Sequence, residues 1–396
     1  MEYSLHAKAH GKILWLGGYS ILEKQNVGYV TSVDAGTHVY LKGLENDEIR
    51  VIAEDFGADV RGKLDRGSGR LDIKVPQELK LVKTAVQAVL YHALNEGATL
   101  SGFEIKTKND PAFSYRISSD GKAVSKSGLG SSAAVTVAAI GALMEHFGLE
   151  FNKDDALHKL AQISHSVATG KIGSGFDIAS AVYGDIIYSR YSPEIVKEFP
   201  QEFDKEDVSS AIKRKWDYSI EPMKLPENLK FAVADFVGAA AITTTMVGSV
   251  NMFKKSAPEE YYKLINAMNN ENVKAIESLK NINKGKNIED NLENFKQSFN
   301  AGRRLAKTLG ERSNVPIETD EITDLIEKTV EKGAFVAKSP GSGGYDSIAA
   351  LFLVKDDSAY RNVVDFWSND HRLRPFQLER NSNGLEINRD RQKLVF

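Results

Sequence analysis

The chain of 396 residues contains no cysteine, which removes disulfide frameworks, thiol nucleophiles and thiolate metal sites together. It also lacks a long apolar run. The most extended one, around Ala133 to Met144, falls well short of the ~20 residues that span a bilayer. An excess of either charge is missing too: Lys and Arg number 51, Asp and Glu 54, and the formal net charge is -3. Nucleic acid and anionic membrane are therefore not expected as main partners. The N-terminal MEYSLHAKAHGK is too charged for a secretory leader, so a cytoplasmic location is the expectation. No period of about 20 to 50 residues recurs, which excludes a solenoid. No GxxxxGK[ST] occurs, which excludes a P-loop NTPase.

What is present is an ordinary globular composition, 42% hydrophobic and 27% charged, on a chain long enough for two or three domains of ~150 residues. Residues 12–16, 28–33, 38–42 and 102–107 have strand composition. Leu79 to Asn95 and Asp154 to Thr169 carry helical spacing, each with glycine just beyond its end. Residues 184–191 read as a strand. Prolines 193, 200, 222 and 226 with alternating charge then mark a boundary. From Leu229 the chain opens with strand-like FAVADF and turns helical over 243–254, 259–279, 291–309 and 319–332. Residues 335–338 and 347–354 read as strands around a glycine loop. The pattern is α+β in two domains, 1–228 and 229–396.

Three glycine loops stand out. Residues 126–141 (KSGLGSSAAVTVAAIG) lead a turn into a helix whose first N–H groups lack internal partners and carry the positive dipole end. Gly128 and Gly130 leave no side chain in the way of a phosphate, and Lys126, Ser131 and Ser132 add a charge and two hydroxyls. An N-capped helix is the plain alternative. Residues 9–19 (AHGKILWLGGY) place Lys12 at the mouth of an apolar strand, where a solvated strand end would serve as well. Residues 170–177 (GKIGSGFD) end a helix and deliver Asp177, alternatively the cap of a helix beginning at Ile178. Residues 339–346 (SPGSGGYD) form the third loop, or a hairpin.

In this order the loops resemble the three motifs of the GHMP kinase superfamily. Gly11, Lys12 and the strand to Gly17 match the first, Gly128-Leu129-Gly130-Ser131-Ser132-Ala133-Ala134 the second almost in full, and Gly341 to Asp346 the third more loosely. The resemblance implies a two-domain GHMP kinase fold, with an N-terminal domain of the ribosomal-protein-S5-like domain 2 type and a C-terminal ferredoxin-like α+β domain. It implies ATP with Mg2+ and a small-molecule acceptor. GGY at 17–19, Lys126-Ser127 before the second motif, and GKIGSGFDIASAVYG at 170–184 followed by RYSP at 190–193 are similar to the branch whose acceptor is 5-phosphomevalonate. Mevalonate is the rival acceptor.

Carried over residue by residue, the resemblance implies Lys12 and Asp177 as catalytic groups. Lys126, Gly128, Leu129, Gly130, Ser131, Ser132 and Ala133 would hold the ATP phosphates, with Ser132 on the magnesium. Tyr19, Lys171, Ser174, Arg190, Thr243, Thr244, Gly343 and Gly344 would join Lys12 and Asp177 on the acceptor. Three departures from the family pattern are expected to matter. His10 replaces a proline and would leave its turn less rigid, Tyr345 interrupts the third glycine run, and Ser166 stands where mevalonate kinases carry a magnesium-binding glutamate. The acceptor's own chemistry adds that a phosphate monoester, with a second pKa near ~6, is mostly dianionic at neutral pH. A base then has little proton to remove, so Asp177 is expected to orient Lys12 or a substrate hydroxyl.

Two other reaction classes fit less well. Asp55-Phe56-Gly57 and Ala257-Pro258-Glu259 copy protein-kinase signatures, but a DFG so early leaves no room for an upstream lobe. An NAD(P)-binding oxidoreductase would need an apolar strand before Gly128, where ISSDGKAVSKS is polar.

Overall fold

The computed structural model describes residues 2–113, 116–117, 123–125, 128–237, 243–355 and 357–395. Two long antiparallel strands, β1 (Glu2–Leu16) and β2 (Gly28–Gly43), begin the chain. β3 (Glu48–Ala53) and β4 (Ala58–Leu64) form a hairpin that β5 (Leu71–Asp72) extends. β6 (Phe103–Asn109) lies between β2 and β3, antiparallel to the first and parallel to the second. A small ribbon, β7 (Arg116–Ile117) and β8 (Ala123–Ser125), stands apart. β9 (Ile186–Ser189) and β10 (Ser219–Pro222) complete the sheet order β10-β9-β2-β6-β3-β4-β5, with β1 also on β2. A second, antiparallel sheet contains β11 (Leu229–Phe236), β12 (Val336–Lys338), β13 (Ser347–Leu353) and β14 (Leu373–Pro375) in the order β12-β13-β11-β14. β15 (Glu386–Val395) then returns to the first sheet and pairs with β1.

That return corrects the expected extent of the second domain, because 386–395 belongs in space to the first sheet. The physical reason is an edge. β1 would otherwise present unpaired backbone along one side, and β15 covers it from Lys8↔Glu386 to Glu2↔Val395, with a register shift between Leu5 and Tyr3. Two expected strands, 28–33 and 38–42, are one strand. Its middle stays extended because Gly36 lets β1 approach, a Cβ there falling 2.3 Å from the Ala9 carbonyl oxygen. Nor is there a loosened turn at His10. The strand runs through, and its ladder shifts register between His10 and Lys12, a bulge of the kind that re-aims a side chain beside a site. Gly11 sits in it because a Cβ would lie 2.6 Å from the Phe113 ring.

Helices α1 (Lys80–Asn95), α2 (Ser131–His146), α3 (Ala156–Thr169) and α4 (Phe176–Tyr183) pack together, and α2 and α4 lie on β1 and β2. α2 is buried almost all round. Its alanines and Gly141 let neighbouring backbones and side chains come close, and a Cβ on Gly141 would meet Leu385 at 2.4 Å. Enlarging Ala138 or Ala139 would overpack the core at about 1–3 kcal/mol. Two short helices, α5 (Pro193–Lys197) and α6 (Lys205–Lys213), occupy the linking stretch. The second half adds α7 (Thr243–Ser256), the long pair α8 (Pro258–Asn283) and α9 (Ile288–Ser313), α10 (Asp320–Glu331) and α11 (Asp357–Asn369). Trp15, Val39 and Leu143 share one apolar cluster with Phe231, Phe295, Val336 and Leu351. The two sheets therefore meet across a continuous core that holds their glycine loops against each other.

Candidate active site

The bulge at Gly11 turns Lys12 toward the second glycine loop, and the lysine braces that loop twice. Its backbone N–H donates to the Leu129 carbonyl at 3.0 Å and its ammonium to the Gly128 carbonyl at 2.6 Å. The ammonium also lies 5.4 Å from the centre of the Phe176 ring. Burial pulls its pKa below the ordinary lysine value, and the carboxylates of Asp177 and Asp346 oppose that. Three loops distant in sequence thus converge on one cation.

Each glycine in the convergence has a steric reason. A Cβ on Gly128 would lie 2.5 Å from Asp346 Oδ2, so the third loop seats its carboxylate directly on the second. Gly130 has a left-handed φ of +91° and would meet the Lys12 side chain at 3.3 Å. It caps α2 with no side-chain bond, so neither Ser131 nor Ser132 acts as the ordinary cap. Ser131 is buried, and among the described residues its hydroxyl has no partner. Ala133 differs from expectation: its N–H already donates to the Gly130 carbonyl at 3.1 Å. Lys126 lies outside the described residues.

Asp177 is the second residue of α4 rather than its cap. The cap is Gly175, at φ +84°. Gln162 Nε2 donates to the Gly175 carbonyl at 2.8 Å and the Tyr188 hydroxyl to the Ser174 carbonyl at 3.0 Å, and these bonds fix the turn that presents Asp177.

A cavity of about 450 Å³ opens between these loops. It is walled by Lys12, Gly128–Gly130, Asp177 and Pro340–Ser342 together with Tyr19, Leu22, His165, Ser166, Lys171–Gly175 and Tyr191. Tyr19 is buried there with its hydroxyl unpartnered among the described residues, and burial pushes its phenol up. Lys171 and Ser174 line the same cavity. Arg190 does not: its guanidinium donates to the Leu22 carbonyl at 2.6 Å and the Gly173 carbonyl at 2.9 Å, tying together two loops that do. Gly343 and Gly344 also turn away, packing on Ile317, whose carbonyl takes the Gly344 N–H at 2.8 Å. Thr243 and Thr244 begin α7, their side chains outside the described set. Tyr345 leaves the glycine loop uninterrupted, because its hydroxyl reaches Thr319 at 3.1 Å and Glu321 at 2.7 Å on the far side.

Known proteins share this arrangement. Residues 80–185 match the model for the GHMP kinases N terminal domain and residues 275–372 that for GHMP kinases C terminal. A phosphomevalonate kinase of Saccharolobus solfataricus is 30% identical over 88% of this chain and 90% of its own. The chain belongs to the GHMP kinases. A phosphomevalonate kinase of Candida albicans is 29% identical over 87% of this chain and 88% of its own. Among solved structures, Streptococcus pneumoniae phosphomevalonate kinase in complex with phosphomevalonate and AMPPNP superposes with a TM-score of 0.74 at 21% identity, covering 95% of this chain and 99% of that one.

In this GHMP kinase, sequence reasoning missed Asp346 as the second carboxylate on Lys12, and Gln162, His165 and Tyr191 as cavity walls. Asp346 had a visible signal, since it closes the third glycine motif. Gln162 and His165 lie on α3 with no motif to mark them, and Tyr191, after β9, lies inside the RYSP stretch that drew attention only to Arg190.

Proposed function

We propose that this protein transfers the γ-phosphoryl group of ATP to (R)-5-phosphomevalonate, giving (R)-5-diphosphomevalonate and ADP. The observation that carries the reading is Lys12, a buried cation held between the phosphate loop and two carboxylates inside one cavity. Relatives named phosphomevalonate kinase, matching along nearly the whole chain, support the choice of acceptor.

In the transfer, an oxygen of the acceptor phosphate forms the new bond to the γ-phosphorus while the bond to the β,γ-bridging oxygen breaks and ADP leaves. Little covalent chemistry falls to the protein; catalysis is positioning and charge neutralisation. The free first-turn N–H groups of α2 and the Ser131 hydroxyl hold phosphate oxygens. Lys12 stands between donor and acceptor, and the carboxylates of Asp177 and Asp346 oppose the burial that lowers its pKa. The acceptor is already a dianion at neutral pH, so Asp177 orients Lys12 and removes no proton. Tyr19, Lys171 and Ser174 face the acceptor. Magnesium fits a site of this composition as the companion of the triphosphate: a hard cation that keeps phosphate and water oxygens needs few protein ligands, and Ser132 would supply one. Bound there, it would supply positive charge to offset that developing on the transferring phosphoryl group. Among the described residues no helix is long and apolar enough to cross a membrane, and water-soluble polyanionic substrates agree with a cytoplasmic place of work.

The test is ADP release with mevalonate, 5-phosphomevalonate and 5-diphosphomevalonate as acceptors. Turnover with 5-phosphomevalonate alone is the expected result; turnover confined to mevalonate overturns the assignment.

A further inference from the structure

Behind the two outer glycine loops lies a second, smaller cavity of about 40 Å³. It shares Gly18, Tyr19 and Gly341 with the main cavity, and Asn272, Arg303, Glu318 and Lys338 help to line it. Lys338 ends β12, two residues before Pro340 of the third loop. Its ammonium crosses from the second sheet to the first and donates to the Trp15 carbonyl at 3.1 Å. Trp15 stands three residues beyond Lys12 and two before Gly17.

Gly17 and Gly18 form a turn with φ of +120° and +50°, a backbone that side chains rarely permit. It is gripped from the second half of the molecule. Asn272 of α8 accepts the Gly17 N–H at 3.2 Å and donates to Ser20 Oγ at 2.9 Å, and that hydroxyl donates to the Gly17 carbonyl at 2.6 Å. Lys338 fixes the carbonyl two residues before the turn, and Tyr19, which lines the main cavity, follows directly after it. A buried ammonium at this place is costly beside an apolar residue of similar volume, so packing alone does not account for a lysine here.

We propose that Lys338 is a positioning residue for phosphoryl transfer: its ammonium, bonded to the Trp15 carbonyl, sets the Gly17–Tyr19 turn and with it the acceptor end of the cavity. The inference rests on the reading that phosphomevalonate lies against Tyr19. The charged and titratable groups facing Lys338 are Arg303 on α9, Glu318 on the loop after it with Lys307 behind, and the Tyr19 phenol; α8 contributes only Asn272 and Met268 among the described residues. Burial pulls the ammonium down to about 8, Glu318 opposing and Arg303 reinforcing the shift. The grip therefore weakens as pH rises through that value.

The experiment is steady-state ADP release by the full chain across neutral to alkaline pH, for wild type, K338M, K338R and E318Q, with thermal unfolding of each. K338M is expected to raise the KM for 5-phosphomevalonate by about tenfold and leave that for ATP within about twofold. The alkaline fall in wild-type kcat/KM for the acceptor should move up by more than about one pH unit in K338R, whose guanidinium stays protonated, and this variant should recover most of the K338M loss. It should move down in E318Q, which loses the opposing charge. Should K338M not fold, the opposite shifts of K338R and E318Q decide the matter. A limb unmoved in both, or equal rises in both KM values, overturns the inference. Failure of the wild type to phosphorylate 5-phosphomevalonate at all would instead strike the functional reading itself.

Discussion

Gly128 and Asp346, from the second and third glycine loops, approach so closely that a Cβ on the glycine would lie 2.5 Å from the carboxylate oxygen. The two halves of the molecule thus meet at the loop proposed to hold a phosphate, and the contact leaves no slack. G128A is expected to lower kcat/KM for ATP by about a hundredfold, since small misplacements of reacting groups have effects of that size. In a D346A background the same substitution should cost much less, because its clash partner is gone. Additive losses in the double mutant, measured by steady-state kinetics, would show that the contact is not what makes glycine necessary.

Lys12 and Asp177 should separate sharply. K12M removes the amine that is bonded to the Gly128 carbonyl and faced by both carboxylates, and kcat should fall by about a thousandfold or more, as with other charge-stabilising groups. D177N keeps the size of the side chain and leaves Asp346 to hold the ammonium, so a loss of about tenfold is expected where no proton must be abstracted. Single-turnover rates with bound acceptor check this; a loss in D177N equal to that in K12M would make Asp177 a base.

Much of this was legible in the sequence where a local rule and a functional need coincide. Gly128, Gly130, Lys12 and Asp177 lie in short glycine-marked segments, and the structure brings all four to one cavity. The long-range facts were not legible. Arg190 read as a phosphate ligand because basic residues usually seek anions, yet its partners are the Leu22 and Gly173 carbonyls, which no composition announces. β15 was missed because EINRDRQKLV alternates charges in place of apolar residues, and its pairing with β1 depends on an open edge at the other end of the chain. The continuity of β2 through Gly36 depends likewise on the Ala9 carbonyl across the ladder.

Tyr19 and Ser131 carry buried hydroxyls without partners among the described residues, a state that costs about 1–3 kcal/mol. Y19F and S131A should therefore leave Tm unchanged or raise it by a few degrees while impairing function. The two losses should differ in kind: Y19F raises the KM for the acceptor and S131A that for ATP. A drop in Tm for either, by calorimetry without substrates, would mark that hydroxyl as structural.

Arg190 and Lys171 offer the converse contrast. Because the Arg190 guanidinium ties two loop carbonyls, R190M removes two part-buried, charge-assisted bonds and should lower stability by about 2–3 kcal/mol, with acceptor KM rising as a consequence. Lys171 is exposed and lines the cavity. K171M should keep Tm within about one degree, as surface substitutions usually do, and still weaken acceptor binding. Equal Tm for R190M and wild type would return Arg190 to the role of a direct phosphate ligand.

Asp185 gives a prediction on pH. Buried beneath the linker, it accepts the Ser32 N–H at 2.7 Å and the Leu225 N–H at 3.2 Å, joining β2 to the segment that leads into the second sheet. Burial raises its pKa to about 6 despite those bonds and the nearby Arg380, above the 3.8 of an unfolded aspartate. The folded state therefore binds more protons between these values. This group's contribution to stability is full below the unfolded value and is lost as pH rises through about 6. A difference of about two units corresponds to roughly 2 to 3 kcal/mol. D185N has no such titration, so the stability of wild type relative to D185N should grow as pH is lowered from about 7 to about 4, and urea unfolding at both ends of that range measures it. A constant difference would mean that the Asp185 carboxylate stays ionised in the fold, held by its two N–H donors against the burial that raises it.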